Sequence, residues 1–126
     1  MGSLTDTAET RVLDWIVGNS TTAPTTPMKL ALLTATGSDS TAGTEVVGGS
    51  YTRQTITFTA AASGAMSNSN TITFSTMPAC TVTGWAIYDS AGTPIRWWHG
   101  ALDVAKALNS GDDFIVAIGD LDLTAD

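Results

Sequence analysis

Two stretches in which threonine alternates with an apolar residue constrain the fold of this chain most strongly. They are residues 55–59 (TITFT) and 71–74 (TITF). Successive side chains of a β-strand point to opposite faces, so each stretch places its apolar residues in a core and its threonines in water. β-Branched threonine also favours strands over helices. The alternation therefore predicts two half-buried strands.

Further short apolar or alternating segments follow along the chain after residue 27. With the two above they give six or seven predicted strands, at residues 28–35, 51–59, 71–75, 82–89, 94–102 and 114–118, the last continuing toward Leu123. Segments 89–94 and 109–112 carry the Asx and Gly chemistry of tight turns, which indicates antiparallel pairing. Because no strand alternates with a helix, we expect a mainly β fold, an antiparallel β-sandwich of six or seven strands with one N-terminal α-helix.

The helix is predicted at residues 4–17. Asp6 is a candidate cap with Glu9 three residues later, and Gly18 ends the segment. Its apolar positions repeat at helical spacing: Ala8, Val12, Trp15 and Ile16. Such a short helix needs a surface to cover these residues, which is either the end of its own sandwich or another molecule.

The 126 residues predict a single domain in three parts. Residues 1–18 form the N-terminal helix, residues 19–27 a Pro/Thr-rich strap, and residues 28–126 the sandwich. Residues 37–50 form a long Gly- and Ser-rich loop, which is either mobile or held by a neighbour.

Charge and cysteine content exclude several classes of protein. Five basic against twelve acidic residues give a net charge of −7, which argues against binding of nucleic acid or anionic membrane surfaces. The single cysteine, Cys80, permits no internal disulfide. No signal peptide or membrane-spanning stretch is seen, so we expect synthesis in the cytoplasm. Only 13% of residues are charged, which favours a homo-oligomer over a monomer.

No pattern of catalytic, cofactor-binding or metal-binding residues stands out, and we predict none. The only histidine, His99, has no serine, cysteine or carboxylate at a spacing typical of a nucleophile or a zinc site. Acidic residues gather near the C-terminus, which allows calcium binding as an alternative to solvated turns: Asp112, Asp113, Asp120, Asp122 and Asp126.

Adjacent tryptophans offer a candidate contact surface. On a strand, Trp97 and Trp98 must face opposite sides, so one ring points outward beside Arg96. That ring is an interface residue, a sugar-stacking platform together with Tyr88, or a ring covered by the helix or strap. The predicted interface residues are Leu4, Ala8, Val12, Trp15, Ile16, Arg96, Trp97 and Trp98.

The predicted core takes the in-phase apolar residue of each strand. Its members are Ile56, Phe58, Ile72, Phe74, Trp85, Ile87, Phe114, Val116 and Ile118.

Several segments in a fixed order resemble a known family. After the helix come KLALLTA, GTEVVGGSYTRQ (43–54), SNSNTITF (67–74) and GWAIYDSAGTPIRWWHGAL (84–102), and then Lys106 with ALNSGDDFIVAIGDLDLT. This order is similar to that of small tail-fibre-like accessory virion proteins of tailed bacteriophages, over nearly the whole chain.

The resemblance implies a non-enzymatic structural protein of the virion, present in several copies on the outer surface of the capsid or tail. Its partners would be further copies of itself, with a trimer favoured, and the major capsid or tail proteins of the particle. A receptor or carbohydrate-binding module of the tail is the alternative.

Overall fold

The computed structural model describes residues 2–20 and 23–125. Met1, Thr21, Thr22 and Asp126, which fall within the predicted helix, strap and sandwich, lie outside the described residues. The elements, in chain order, are β1 (Gly2–Leu4), α1 (Asp6–Ile16), β2 (Lys29–Ala35), β3 (Thr44–Glu45), β4 (Gln54–Thr55), β5 (Ala65–Ser67), β6 (Ile72–Phe74), β7 (Cys80–Tyr88), β8 (Arg96–Leu108), β9 (Phe114–Val116) and β10 (Asp122–Thr124).

One six-stranded sheet and two small ribbons make up the β structure. The sheet has the order β1-β8-β7-β2-β3, with β4 also paired to β2, and the ribbons are β10-β5 and β6-β9. Every pairing is antiparallel. The prediction of a mainly β, antiparallel fold with one helix is confirmed, although the strands are more numerous than the sequence indicated and several are only two or three residues long, while β7 and β8 are longer than predicted.

The core lies between one face of the sheet and the two ribbons. Leu30 is paired with Ile87, so both project from this face, and Phe74 of the β6-β9 ribbon belongs to the same buried cluster. The Phe74 ring stacks on Tyr51 at 5.9 Å between centroids and meets Phe114 edge-on at 6.2 Å. This packing holds the ribbons against the sheet.

Most of the predicted core residues are confirmed as buried. Ile56, Ile72, Phe74, Trp85, Ile87 and Phe114 are all buried. Phe58 and Val116 are partly buried and pack against the cluster. Ile118 was wrongly predicted: its side chain is 64% exposed. β9 ends at Val116, and the backbone N–H of Asp120 then donates to the Ala117 carbonyl, which turns the chain before Ile118 can continue the strand.

The predicted strand at residues 51–59 contains only a two-residue strand, β4. Side-chain bonds replace the ladder before it, where the Tyr51 hydroxyl donates to Glu45 and accepts the backbone N–H of Leu32. Arg53 forms a two-point ion pair with the same Glu45 carboxylate and lies 3.6 Å from the centre of the Tyr88 ring. These side-chain contacts hold residues 51–53 against the sheet, although these residues do not form a strand.

The helix begins at Asp6, two residues later than predicted, and its cap lies one residue before the predicted one. Thr5, not Asp6, is the N-cap, and its hydroxyl accepts the backbone N–H of Ala8 at 3.1 Å. The preceding strand, β1, pairs with β8 in the register Gly2↔Gly100 to Leu4↔Trp98 and was not predicted. No helix among the described residues is long and apolar enough to cross a membrane.

A large bulge interrupts the pairing of the two longest strands, β7 and β8. Val82 is paired with Lys106 and Gly84 with Ala101, so Thr83 alone lies opposite residues 102–105. A bulge bends its strand and breaks the ladder locally. Here it lifts four residues of β8 away from β7 and opens the side of the core.

Candidate contact surfaces

The last turns of α1 and the residue that follows it carry a large exposed apolar surface. The side chains of Leu13, Trp15, Ile16 and Val17 are 65%, 64%, 65% and 69% exposed, and that of Val12 is 36% exposed. We call these five residues the helix patch. Exposed apolar surface that is concentrated in this way usually marks an interaction site.

The helix patch continues a stripe that begins on the chain's own sheet. Ala8 is fully buried, Val12 one turn later is partly covered, and Trp15 and Ile16 lie beyond the cover. The main contacts of α1 with the strands are to β8 and β1. The first half of the helix is therefore docked on its own domain, and the second half extends past it.

Trp97 forms part of the docking surface of α1. Its ring is 9% exposed, and the Arg11 guanidinium lies 5.6 Å from the ring centre. The indole N–H donates to the Asp89 carboxylate at 3.2 Å. Trp97 is thus covered on the face where α1 docks, which is one of the three predicted alternatives. Its ring offers no open face for a sugar.

Trp98 lies on the opposite face of the sheet, directly across from Ile87. Its ring packs against the core cluster and lines a small apolar cavity of about 160 Å³ together with Met66 and Leu123. Its indole N–H is buried and has no hydrogen-bond partner among the described residues. The two tryptophans face opposite ways as the strand period predicts, but neither ring stands free in solvent.

Arg96 and His99 hold part of the long Gly- and Ser-rich loop. The Arg96 guanidinium donates to the Ser38 carbonyl at 2.7 Å, and His99 Nε2 lies 2.7 Å from an Asp39 carboxylate oxygen. The backbone N–H of Asp6 also donates to the Asp39 carbonyl. This part of the loop is therefore held by its own chain, through β8 and the start of α1.

An open cleft lies beside the bulge in β8, and we call it the side cleft. It has a volume of about 200 Å³, and its floor consists of the core residues Leu30, Leu32 and Trp85. Leu102 and Asp103 of the bulge line one side, and β9 and the turn after it line the other. Ile115 also lines the cleft and is 60% exposed, and Val104, next to Asp103 in the bulge, is 80% exposed.

The side cleft was not predicted from the sequence. Its floor residues were assigned to a closed core, and nothing in the local sequence ALDVAKAL signals that residues 102–105 leave the ladder.

Potential metal ligands do not cluster in the part of the chain that the structure describes. No group of three or more His, Cys, Asp or Glu side chains lies close enough there to hold a metal ion. The thiol of Cys80 is free and partly buried, and this burial raises its pKa. A raised pKa leaves less of the reactive thiolate at neutral pH.

The predicted interface residues do not form one surface. Leu4 and Ala8 belong to the docked part of the N-terminus, Trp97 and Trp98 occupy opposite faces, and Arg96 binds the loop. Trp15 and Ile16, with Val12 at the margin, are the predicted residues that stand in solvent. Leu13 and Val17 complete this patch and were not predicted, because they lie off the stripe that starts at Ala8.

Comparison with known proteins agrees with this picture of a mainly β module that has exposed contact surfaces. No curated protein matches the chain. A family model described as Podophage GP4 fiber I protein gp80 matches residues 3–124, which include the helix, both ribbons and all of the sheet except Gly2. The chain therefore belongs to this phage fibre family, and it is a structural component of a virion.

Proposed function

We propose that this chain is a non-enzymatic accessory protein that assembles as a homo-oligomer on the outer surface of the capsid or tail. A trimer would suit the threefold and sixfold sites of a phage particle. Its partners are further copies of itself and the major capsid or tail proteins. Synthesis takes place in the cytoplasm of the bacterial host, before assembly.

The helix patch is the observation that carries this proposal. Five apolar side chains at these exposures present on the order of 500 Å² of surface, within the range at which exposed patches mark interaction sites. Keeping such a patch in water is unfavourable, since each square ångström of apolar surface that is covered contributes roughly 25 cal/mol. A subunit of a larger assembly gains this contribution on binding its neighbour.

The weak electrostatic character of the patch supports the same proposal. The chain carries a net charge of −7, so copies repel one another at most of their surface. The end of α1 carries only one charge, at Asp14, which accepts hydrogen bonds from Asn19. Contact through this surface avoids most of the repulsion.

Incorporation into particles tests the proposal. Phage would be assembled with the wild-type chain, with a double variant Trp15→Ser/Ile16→Ser, and with the control Val47→Ser, which changes an 87% exposed apolar residue elsewhere. We expect a loss of at least tenfold in copies per particle for the double variant and no loss for the control. Normal incorporation of a folded double variant would contradict the role of the patch.

The number of copies in each wild-type particle distinguishes the two locations. Hundreds of copies would place the chain on the capsid, and a handful would place it on the tail. Absence of the chain from purified particles would overturn the proposal as a whole.

A further inference from the structure

The helix patch and the side cleft are separate surfaces, and neither covers the other within one molecule. The helix patch is at the end of α1, whereas β2, β7, β8, β9 and the turn after β9 form the side cleft. No residue of α1 lines the cleft. Each feature therefore lacks a cover in the described chain.

We infer that the helix patch of one copy packs against the side cleft of a second copy, with the Trp15 ring inserted between the bulge in β8 and β9. This inference rests on the proposed homo-oligomer and names its interface. The occupant of the cleft is a segment of the same protein, so no other partner is needed to cover either feature.

Size is the first argument. An apolar cavity of about 150 Å³ admits a benzene molecule. The side cleft, at about 200 Å³, is large enough for an indole ring. Trp15 is the largest side chain of the helix patch, and it is 64% exposed.

Chemistry is the second argument. The floor of the cleft is apolar, while the carboxylates of Asp103 and Asp120 lie in its wall. An inserted Trp15 ring would therefore meet apolar side chains, and its indole N–H would find an acceptor in these carboxylates.

Area is the third argument. Specific protein interfaces bury at least about 1,000 Å² in total. The helix patch supplies on the order of 500 Å², and Val104 and Ile115 extend the cleft with exposed apolar surface of their own. A contact that covers the helix patch covers a similar area of the second copy, so its total lies near this lower limit.

Symmetry gives the inference its consequence. Contact between two different surfaces of the same protein is heterologous, and such contacts generate closed rings when the rotation closes. A ring of three would use every patch and every cleft. By contrast, pairing of helix patch with helix patch would be isologous and would leave all clefts open.

Complementation between two defective variants tests the inference. Trp15→Ala removes the inserted ring and keeps the cleft, whereas Ala101→Phe obstructs the cleft from an exposed position and keeps the helix. Sedimentation at micromolar concentration would give the mass of each variant and of an equimolar mixture. We expect at least tenfold weaker self-association for each variant alone. In the mixture we expect one-to-one heterodimers, because one intact patch meets one intact cleft.

Several outcomes would overturn the inference. Wild-type self-association of Trp15→Ala would contradict it, and so would a mixture that associates no better than either variant alone. Wild-type self-association of Ala101→Phe, together with its loss in Trp15→Ala, would instead indicate pairing of helix patches, and two monomeric variants that fail to associate when mixed would also contradict the inference. A wild-type chain that stays monomeric would overturn both this inference and the proposed oligomer, while particle incorporation tests the virion role separately.

Controls separate association from folding. The far-UV spectrum and thermal midpoint of each variant should match those of the wild type. If Ala101→Phe does not fold, Asp103→Lys in the exposed bulge replaces it: alone it should weaken association, and mixed with Trp15→Ala it should again give heterodimers. Val47→Ala should associate like the wild type, and a loss in this control would mean that apolar exposure anywhere has the same effect.

Discussion

The indole N–H of Trp97 donates to the carboxylate of Asp89 across the turn that joins β7 and β8. The same carboxylate accepts the backbone N–H of Ile95 at 2.9 Å and that of Ala91 at 3.3 Å. Burial acts to raise the pKa of Asp89, but these hydrogen bonds outweigh it and lower the pKa below its ordinary value. A buried charge thus links the turn to the face on which α1 docks.

The Asp89 carboxylate should make folding sensitive to acid. Because its pKa is lower in the folded chain than the value of about 3.9 in the unfolded chain, its contribution is complete above about pH 5. The contribution is lost as pH falls through 3.9 toward the lower folded-state value. We expect Asp89→Asn to cost about 2 kcal/mol at pH 7 and progressively less at lower pH.

Urea unfolding at pH 7 and at several values between pH 5 and pH 2 measures this change. Asp122→Asn, at an exposed position, is the matched control and should follow the wild type. An equal loss for Asp89→Asn at every pH would mean that the charge of Asp89 is not what stabilises the turn.

Tyr51 should be required in its neutral form. Burial and its hydrogen bond to Glu45 raise the pKa of this hydroxyl well above the ordinary value. Its contribution is therefore present below the unfolded-state pKa of about 10 and is lost as pH rises further. Tyr51→Phe leaves the Leu32 N–H without this acceptor, and we expect a loss of about 1–3 kcal/mol.

The matched control for Tyr51 is Tyr88→Phe, which keeps an aromatic ring beside the Arg53 guanidinium. Chemical denaturation at pH 8 would compare both variants with the wild type. Equal stability of Tyr51→Phe and Tyr88→Phe would show that the Tyr51 hydroxyl contributes nothing specific.

The contrast between Phe74 and Ile118 tests the observed core. Phe74 is 1% exposed, and its truncation to alanine leaves a cavity between the ribbon and the sheet. We expect Phe74→Ala to cost about 3–5 kcal/mol and Ile118→Ala less than about 0.5 kcal/mol. Thermal unfolding followed by calorimetry measures both. A loss of more than about 1 kcal/mol in unfolding free energy for Ile118→Ala would show that Ile118 belongs to the core.

The alternation of apolar and polar residues predicted which side chains are buried more accurately than it predicted where the strands end. Ile72 and Phe74 alternate with threonine, and both are buried as expected. The alternation continues through residues 55–59, yet only Gln54–Thr55 is a strand, because the Asn70 side chain accepts the Thr57 N–H in place of a ladder bond. Such a long-range side-chain partner leaves no trace in the local pattern.

The contact surfaces were predictable only in part, for a related reason. Helical spacing identified Val12, Trp15 and Ile16, but their exposure depends on where the sheet edge ends relative to α1. Strand β1 sets that position through its pairing with β8, and its sequence Gly-Ser-Leu carries no strand signal. The side cleft depends on the bulge opposite Thr83, which is equally invisible to a pattern of period two.

Thr5 should control how firmly the helix is held. Its hydroxyl accepts the Ala8 N–H and donates to the Arg96 carbonyl at 2.7 Å, so one buried side chain both caps α1 and joins it to β8. Thr5→Ala removes both bonds, and we expect a loss of about 1–2 kcal/mol. Thr5→Ser keeps the hydroxyl and should recover most of it, while Thr7→Ala, at an exposed position of the first turn, should cost less than about 0.5 kcal/mol. Amide hydrogen exchange would locate the effect, with faster exchange expected in α1 and β1 and unchanged protection in β2 and β7. Uniformly faster exchange across the sheet would contradict a local tether, because it would mean that the helix and the β domain unfold only as one unit.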